Sequence, residues 1–331
     1  MAKISRIVLA SRPRGQVTPE SFRLEQLDVP QAGAGQVLVR NEYLSLDPYM
    51  RGRMAEAKSY AAAQALDDTM IGGTAGVVVA SNHPRFAAGD TVVGMLGWAE
   101  MGVADGNTLR KVDASSIPLP AYLGVLGMPG MTAWYGLNQI MRPVPGNTIL
   151  VSAASGAVGS AVGQLAKLQG CRVVGIAGGP EKCAYVVDQL GFDACIDYKA
   201  GQLQADLAAA APDGIDALFE NVGGPGFDAA LPLMNAFGRI ALCGLIAGYN
   251  GDDLAVRNLR FVLTSRLSIR GFIVTEHMDL WPQGLNELAA LVAAGKLKYR
   301  ETVAHGLAAA PEAFIGLLQG RNFGKQLVKL T

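Results

Sequence analysis

Residues 148–159, TILVSAASGAVG, join an apolar run to a second run of small and apolar residues through a turn that contains glycine. Residues 148–153 form an apolar run that predicts a buried strand, and residues 158–168 continue in small and apolar residues that predict a helix. Between them, Ala154, Gly156 and Gly159 follow the spacing A-x-G-x-x-G, with alanine in the place of the first glycine. A strand that turns into a helix over this spacing is typical of a dinucleotide-binding βα unit.

The two glycines of this turn are expected to do different things. Gly156 lets the backbone approach a pyrophosphate, whose charge suits the exposed N–H groups at a helix N-terminus. Gly159 lets the helix pack closely on the strand. A second apolar strand over residues 172–177 supplies the context that a dinucleotide site requires. The alternative is a tight βα turn that binds no ligand.

The patterns on either side divide the chain. Residues 216–220 and 239–243 are further apolar runs separated by a helical stretch, which predicts a doubly wound parallel sheet of the α/β class. The first 120 residues instead consist of short strands and glycine turns. Short elements return after residue 297, so that the tail can fold back onto the first domain. We expect a β-rich domain from residues 1–122 and 298–331, and an α/β domain from residues 123–297.

Composition limits the classes of partner and location. The chain has 331 residues, of which 50% are hydrophobic and 17% charged, so it can form two cores. Lys plus Arg and Asp plus Glu both number 28, which gives no electrostatic support for a nucleic-acid or anionic-membrane partner. No apolar run suggests a signal peptide or a transmembrane helix. The cysteines form no CxxC pair and are expected to be reduced thiols in the cytoplasm.

The end of the second strand indicates which dinucleotide is preferred. Residues 174–182 read VGIAGGPEK, with no acid at the strand end to hold a ribose 2′-hydroxyl, as an NAD site requires. Lys182 follows in the first turn of the next helix and can neutralise a 2′-phosphate. We therefore predict NADP; the alternative for Lys182 is a solvated helix residue.

Six stretches that run in order along nearly the whole chain carry a family resemblance. They are residues 46–51 (LDPYMR), 128–133 (MPGMTA), 152–159 (SAASGAVG), 220–224 (ENVGG), 237–244 (FGRIALCG) and 322–325 (NFGK). The chain resembles the zinc-independent medium-chain dehydrogenases/reductases, in particular the prostaglandin/leukotriene B4 reductases, plant double-bond reductases and curcumin reductase-like proteins. The resemblance implies a GroES-like β-rich catalytic domain, a Rossmann domain and NADPH-dependent reduction of enones and enals by hydride transfer to the β-carbon.

The resemblance also implies a set of cofactor contacts. It places the pyrophosphate at the glycine turn, the 2′-phosphate at Lys182 and Tyr198, and the nicotinamide along residues 243–249 and 272–274. The implied cofactor-binding residues are Gly156, Ala157, Val158, Gly159, Lys182, Tyr198, Asn221, Cys243, Gly244, Tyr249, Phe272, Ile273, Val274 and Asn322. Gly179 stands where many relatives have a serine, which removes one phosphate-binding hydroxyl.

A metal is not expected. Zinc relatives need Cys, His and Glu ligands in the first domain, yet no cysteine precedes Cys171 and the sole histidine there is His83. Residues 72–76, GGTAG, stand where zinc enzymes carry a His-Glu pair, and their side chains offer no ligand atoms.

Tyr249 and Tyr49 are the candidate catalytic residues. Reduction of an enone without a metal needs a donor for the oxygen that gains negative charge. Tyr249 lies in a glycine-rich loop beyond a predicted sheet strand, where ligands bind in such folds; a loop or core tyrosine is the alternative. Tyr49 is the second candidate, with interdomain packing as its alternative, and Asp47 and Arg51 are expected to hold the cleft.

The sequence is compatible with two other functions and predicts one assembly state. The same scaffold fits a quinone reductase or a ketone/alcohol oxidoreductase, and it also fits a non-catalytic NADPH-binding protein. Residues 267–274 predict a late strand that can lie at the sheet edge, and long apolar edges need cover. Since relatives pair this strand across a twofold axis, a homodimer is expected.

Overall fold

The protein is described by a computed structural model that covers residues 3–330. The chain divides into two compact units. The first comprises residues up to Gly124 together with those from Glu301 onward, and the second is Val125–Arg300. Within residues 3–330, no helix has the length and apolar character needed to cross a membrane.

The elements are numbered in chain order. The strands are β1 (Lys3–Leu9), β2 (Phe22–Asp28), β3 (Gln36–Ser45), β4 (Thr74–Ser81), β5 (Thr91–Gly94), β6 (Met101–Asp105), β7 (Arg110–Lys111), β8 (Thr148–Val151), β9 (Arg172–Ala177), β10 (Ala194–Asp197), β11 (Ile215–Glu220), β12 (Met234–Leu242), β13 (Ser268–Gly271), β14 (Glu301–His305) and β15 (Lys325–Lys329). The α-helices are α1 (Tyr49–Arg53), α2 (Met128–Tyr135), α3 (Gly159–Leu168), α4 (Pro180–Asp188), α5 (Leu203–Ala210), α6 (Gly224–Ala230), α7 (Arg260–Thr264), α8 (Trp281–Ala293) and α9 (Ala310–Leu318).

The first unit is built on a largely antiparallel sheet of order β14-β15-β3-β4-β5-β7, with β6 also paired to β3. Strand β15 pairs antiparallel with β3, so the C-terminal segment completes the sheet that the N-terminal segment begins. The core joins the same two segments, since the ring of Trp98 stacks on Phe22 at 5.2 Å and meets Phe314 edge-on at 5.8 Å. The C-terminal segment of the chain therefore lies in the sheet and the core of the first unit.

The second unit is a parallel sheet of order β10-β9-β8-β11-β12-β13. Starting from β8, strands β9 and β10 are added toward one edge of the sheet, and strands β11, β12 and β13 are added toward the opposite edge. Strand β8 is buried along its whole length, as expected for a parallel strand covered on both faces. This arrangement confirms the doubly wound α/β fold, and it places a topological switch point between β8 and β11.

Several strand ends differ from the sequence prediction. Strand β8 ends at Val151, two residues early, because Ala153 adopts a left-handed conformation with φ of 50°. The strand expected over residues 267–274 stops at Gly271, because Gly271 pairs with Leu242, the last residue of β12. Residues 272–274 therefore lie beyond the strand. Strand β13 is at the edge of the sheet, as expected.

Candidate functional site

The glycine turn between β8 and α3 closes on one carbonyl. The oxygen of Ala153 accepts the N–H of Gly156 at 2.9 Å. A Cβ on Gly159 would lie 2.4 Å from that oxygen, whereas a Cβ on Gly156 would lie 3.1 Å from it. The turn itself therefore requires glycine at 159, and its steric demand at 156 is weaker.

Alanine at the first glycine position is accommodated by a neighbouring strand. Ala154 is fully buried, and its N–H donates to the carbonyl of Ile176 in β9 at 2.9 Å. A Cβ on Gly175 would lie 2.7 Å from the Cβ of Ala154. Gly175 thus leaves room for the alanine methyl group. The sequence signal was a glycine inside an apolar strand, which often marks a close approach of two backbones.

A buried carboxylate that the sequence analysis missed organises the switch point. Glu220, the last residue of β11, accepts at Oε1 from the Ser152 hydroxyl at 3.0 Å and from the N–H groups of Val222 and Gly223 at 2.6 and 2.7 Å. Burial raises the pKa of the Glu220 carboxyl, and these three bonds act in the opposite direction. The sequence feature that could have indicated this residue is an acid at the end of an apolar strand, since a buried charge requires hydrogen-bond partners.

Asn221, Gly244 and Tyr249 are brought together at the carboxyl edge of this sheet. The Asn221 side-chain amide donates to the Ser152 carbonyl at 2.8 Å. A Cβ on Gly244 would lie 3.1 Å from the backbone carbonyl oxygen of Asn221 and 3.5 Å from the Tyr249 hydroxyl. Cys243 donates its N–H to the Glu220 carbonyl at 2.8 Å. Burial raises the pKa of its thiol to about 12, so it is neutral at physiological pH.

Lys182 and Tyr198 lie near the ends of two neighbouring strands. Gly179, with φ of 98°, precedes α4, and Lys182 lies in the first turn of that helix. The Tyr198 side chain covers Gly178, since a Cβ there would lie 3.0 Å from the tyrosine hydroxyl. The glycine of this loop therefore permits the close approach of the Tyr198 ring.

Residues 272–274 contribute mainly to packing. The Phe272 ring lies 5.4 Å from Tyr135 and 6.2 Å from Phe219, centroid to centroid. Val274 is buried, and its carbonyl accepts from the Trp281 indole at 3.2 Å. The side chains of Phe272 and Val274 are therefore held in place by packing.

Tyr49 and Asn322 belong to the first unit. Tyr49 begins α1, and burial raises the pKa of its hydroxyl, with a further contribution from the charge of Asp47, so that the phenol stays protonated. The Asn322 amide donates to the Gly324 carbonyl at 2.8 Å.

A buried ion pair lies two residues before Tyr49. The Lys325 ammonium donates to Asp47 Oδ1 at 2.8 Å and to the Leu46 carbonyl at 2.6 Å. The Ser45 hydroxyl donates to the other Asp47 oxygen. Both charged side chains are at least nine-tenths buried, so the pair fixes β15 to the segment that leads into α1.

Comparison with known proteins identifies the family. Residues 5–112 match the family "N-terminal domain of oxidoreductase", and residues 157–290 match "Zinc-binding dehydrogenase". The chain is 47% identical to the NADPH-dependent curcumin reductase of Escherichia coli (strain K12), over 98% of this chain and 96% of the relative. It belongs to the medium-chain dehydrogenase/reductase family. Within that family it falls in the group of curcumin, alkenal and prostaglandin reductases, as the resemblance indicated.

Two further comparisons cover almost the whole of this medium-chain reductase. It is 46% identical to the 2-alkenal reductase (NADP+-dependent) of Nicotiana tabacum, over 92% of this chain and 90% of the relative. The solved structure of CurA from Vibrio vulnificus in complex with NADPH superposes with a TM-score of 0.94 at 47% identity, covering 99% of each chain.

Among residues 3–330, no group of three or more His, Cys, Asp or Glu side chains is placed to hold a metal ion. His277 stacks on Tyr135 with ring centroids 4.3 Å apart, and His83 lies 5.6 Å from the Phe86 ring. Both histidines pack against aromatic rings. Metal independence itself stays a prediction.

Proposed function

We propose that this protein catalyses the NADPH-dependent reduction of the carbon–carbon double bond of α,β-unsaturated aldehydes and ketones. Relatives named as curcumin reductase and 2-alkenal reductase, similar over nearly the whole chain, support this reaction. The structural observation that carries the proposal is the grouping of Asn221, Gly244 and the Tyr249 hydroxyl beyond the strands that flank the switch point. Ligands bind at this edge of doubly wound sheets.

The residues present fit NADP. Gly156, Ala157, Val158 and Gly159 form a turn that closes on the Ala153 carbonyl and opens α3, where an anion meets helix N–H groups. We assign the 2′-phosphate to Lys182 and Tyr198. The remaining proposed cofactor contacts are Asn221, Cys243, Gly244, Tyr249, Phe272, Ile273, Val274 and Asn322. When bound, NADPH supplies the hydride that adds to the β-carbon of the substrate.

The chain's own part in the reaction is to stabilise charge on the carbonyl oxygen. We assign this role to the Tyr249 hydroxyl, which donates a hydrogen bond to the oxygen as it becomes an enolate. Tyr49 is the second candidate, because the raised pKa of its phenol keeps the donor proton in place. The neutral thiol of Cys243 adds no competing negative charge.

The proposal extends to organisation, assembly and location. We assign the Rossmann NADP-binding role to the second unit, which also carries Tyr249, and the GroES-like role to the first, which carries Tyr49 and Asn322. A homodimer is supported by β13, because Ser268–Gly271 is exposed along its length at the sheet edge, with Ile269 40% exposed. A light-scattering mass near the monomer's 34.6 kDa at micromolar concentration would contradict it.

A cytoplasmic location is supported by the free thiols of Cys171, Cys183, Cys195 and Cys243.

The test is a substrate screen with product analysis. Purified protein is given NADPH or NADH with enals, enones, simple ketones and quinones, and the products are separated by mass and retention time. We expect the saturated aldehyde or ketone, NADPH preference, and unchanged rates after prolonged chelation. Allylic alcohol or hydroquinone as the main product would replace the proposal with one of the alternatives. Substrate-independent NADPH binding with no turnover would leave a non-catalytic binding protein.

A further inference from the structure

The loops that follow β9 and β10 are fastened to each other by one carboxylate. Asp197, the last residue of β10, accepts at Oδ1 from the N–H of Gly179 at 2.8 Å and from the N–H of Lys199 at 3.0 Å. These two backbone bonds, the largest causes, and then the charge of Lys199 lower the pKa of the Asp197 carboxyl. Asp197 is therefore ionised at neutral pH and holds both loops in one register.

The same arrangement brings a second lysine to the loop that precedes Lys182. A Cβ on Gly178 would lie 3.1 Å from Cε of Lys199 and 3.0 Å from the Tyr198 hydroxyl. The Lys199 ammonium lies 5.8 Å from the centre of the Tyr198 ring. The stem of Lys199 thus crosses the Gly178 backbone next to Tyr198, toward the loop that leads to Lys182.

Lys182 follows the same loop that the Lys199 stem packs against at Gly178. Burial, and then the charge of Lys199, lower the pKa of the Lys182 ammonium. Glu181 acts on Lys182 in the opposite direction, and Asp197 lies near Lys199, so each lysine has one carboxylate near it. An anionic phosphate at this loop would attract both ammonium groups as well. A phosphate monoester at neutral pH carries a charge of about −1.5 to −2, which matches two lysines better than one.

We propose that Lys199 is a second cation for the 2′-phosphate of the nucleotide and that Asp197 is the positioning residue that holds its loop beside Gly179. The inference rests on the proposed NADPH function and specifies how this protein tells NADPH from NADH. It also accounts for Gly178, because any larger residue would displace the Tyr198 ring and the Lys199 stem from the same place.

The experiment measures binding, without turnover. Affinities of NADPH, NADH, 2′,5′-ADP and 5′-AMP are determined by calorimetry for the wild type, Lys199→Gln and Lys182→Gln. Lys296→Gln is the matched control, since Lys296 is an exposed lysine of the same unit. We expect Lys199→Gln to weaken NADPH and 2′,5′-ADP about tenfold, in line with one lost charge-assisted bond, and to leave NADH and 5′-AMP unchanged. NADPH binding by Lys199→Gln should also depend less on salt concentration than NADPH binding by the wild type.

Each other outcome is informative. Wild-type NADPH affinity in Lys199→Gln, together with a loss in Lys182→Gln, would overturn the role of Lys199 and leave the proposed function intact. Wild-type protein that binds NADPH and NADH equally would overturn the proposed cofactor preference as well. Equal weakening of NADPH and NADH by Lys199→Gln would mean a structural role and would also overturn the inference.

Asp197 is tested by rescue. Asp197→Ala removes the acceptor for both backbone N–H groups and should weaken NADPH more than NADH. Asp197→Asn keeps an oxygen at the same place and should restore most of the NADPH affinity. If Asp197→Asn binds NADPH as poorly as Asp197→Ala, holding the loops through these bonds is not the function of Asp197.

Discussion

The hydroxyl of Ser152, just beyond β8, donates a 3.0 Å hydrogen bond to Oε1 of Glu220 at the end of β11. The same hydroxyl accepts the N–H of Asn221 at 2.8 Å. These bonds join the two strands between which the sheet order reverses, and they fix the loop that carries Asn221. This buried carboxyl thereby fixes the loop that carries Asn221, one of the proposed cofactor contacts.

Glu220 is predicted to matter through its acceptor oxygen. Glu220→Ala leaves the Ser152 hydroxyl and two backbone N–H groups without their acceptor, and should lower the free energy of unfolding by about 3 kcal/mol. Glu220→Gln keeps an oxygen acceptor and should stay within about 1 kcal/mol of the wild type at neutral pH. Urea unfolding curves of the two variants check this. Equal losses for both would show that charge, and not acceptor geometry, is what the site uses.

The pH dependence of the Glu220 effect has a definite sign. Burial raises the pKa of this carboxyl in the folded state, so between the unfolded value of about 4.3 and the folded value the folded protein binds more protons. Wild-type stability should therefore fall, relative to Glu220→Gln, as pH rises above about 4. The measurement is the difference in unfolding free energy between the two proteins from pH 4 to 8. A constant difference would contradict the raised pKa.

Replacing the two glycines of the turn by alanine is predicted to have different effects, on stability at Gly159 and on NADPH affinity at Gly156. Gly159→Ala forces a methyl group to 2.4 Å from the Ala153 oxygen, and such overpacking should lower stability by about 1–3 kcal/mol. Gly156→Ala meets the same oxygen at 3.1 Å, so its stability should change by less than about 1 kcal/mol. Its NADPH affinity should fall instead, because the methyl group would occupy the place at which the proposed site brings the pyrophosphate to the backbone.

The control for the glycine pair is Gly52→Ala in α1, where a Cβ has no neighbouring atom within 4 Å. It should leave NADPH binding unchanged and raise stability slightly, by up to about 1 kcal/mol, because alanine favours a helix over glycine. A Gly156→Ala protein with wild-type NADPH affinity would remove the pyrophosphate from this turn. A Gly159→Ala protein as stable as the wild type would show that the turn can relax.

The buried Lys325–Asp47 ion pair is predicted to contribute far more to the stability of the fold than the exposed Arg321–Glu312 pair. Lys325→Met leaves the buried Asp47 carboxylate without its ammonium partner, which should cost about 3–5 kcal/mol. Arg321→Ala breaks a 2.8 Å pair with Glu312 whose side chains are 53% and 64% exposed, and is the matched control; it should cost less than about 1 kcal/mol. Thermal unfolding compares them, and the double variant Lys325→Met with Asp47→Leu should recover part of the loss.

The parts of this structure that the sequence predicted are encoded locally. The spacing of Ala154, Gly156 and Gly159 lies within six residues, and each apolar strand of the second unit is a continuous run, so the doubly wound fold could be inferred. The strand ends could not, because they depend on partners. Strand β13 stops where β12 stops, and β8 stops where Ala153 takes a left-handed conformation.

The missed site residues are those whose meaning depends on distant contacts. Lys325 lies 278 residues from Asp47, and no periodicity links the two. Gly175 makes room for Ala154 only because β9 lies beside β8. Glu220 was quoted as part of a family stretch, but its bond to Ser152 spans 68 residues and becomes visible once β11 is known to pair with β8. The sequence shows which polar and charged side chains are present. Which of them contact each other could be determined only from the fold.

The Tyr249 hydroxyl is predicted to take part in the reaction. If its hydroxyl stabilises the developing enolate, Tyr249→Phe should lower kcat and leave NADPH binding nearly intact. One lost oxyanion donor typically costs about 10²–10³ in kcat, and since the nicotinamide ribose hydroxyl is a plausible second donor, we expect about 10- to 100-fold. Tyr49→Phe is the companion variant and should reduce kcat less if Tyr49 only packs. The measurement is kcat with a good enone, with a deuteride isotope effect establishing that chemistry limits the rate. Wild-type kcat under that condition would remove Tyr249 from the mechanism and pass its role to Tyr49, to the ribose or to an ordered water.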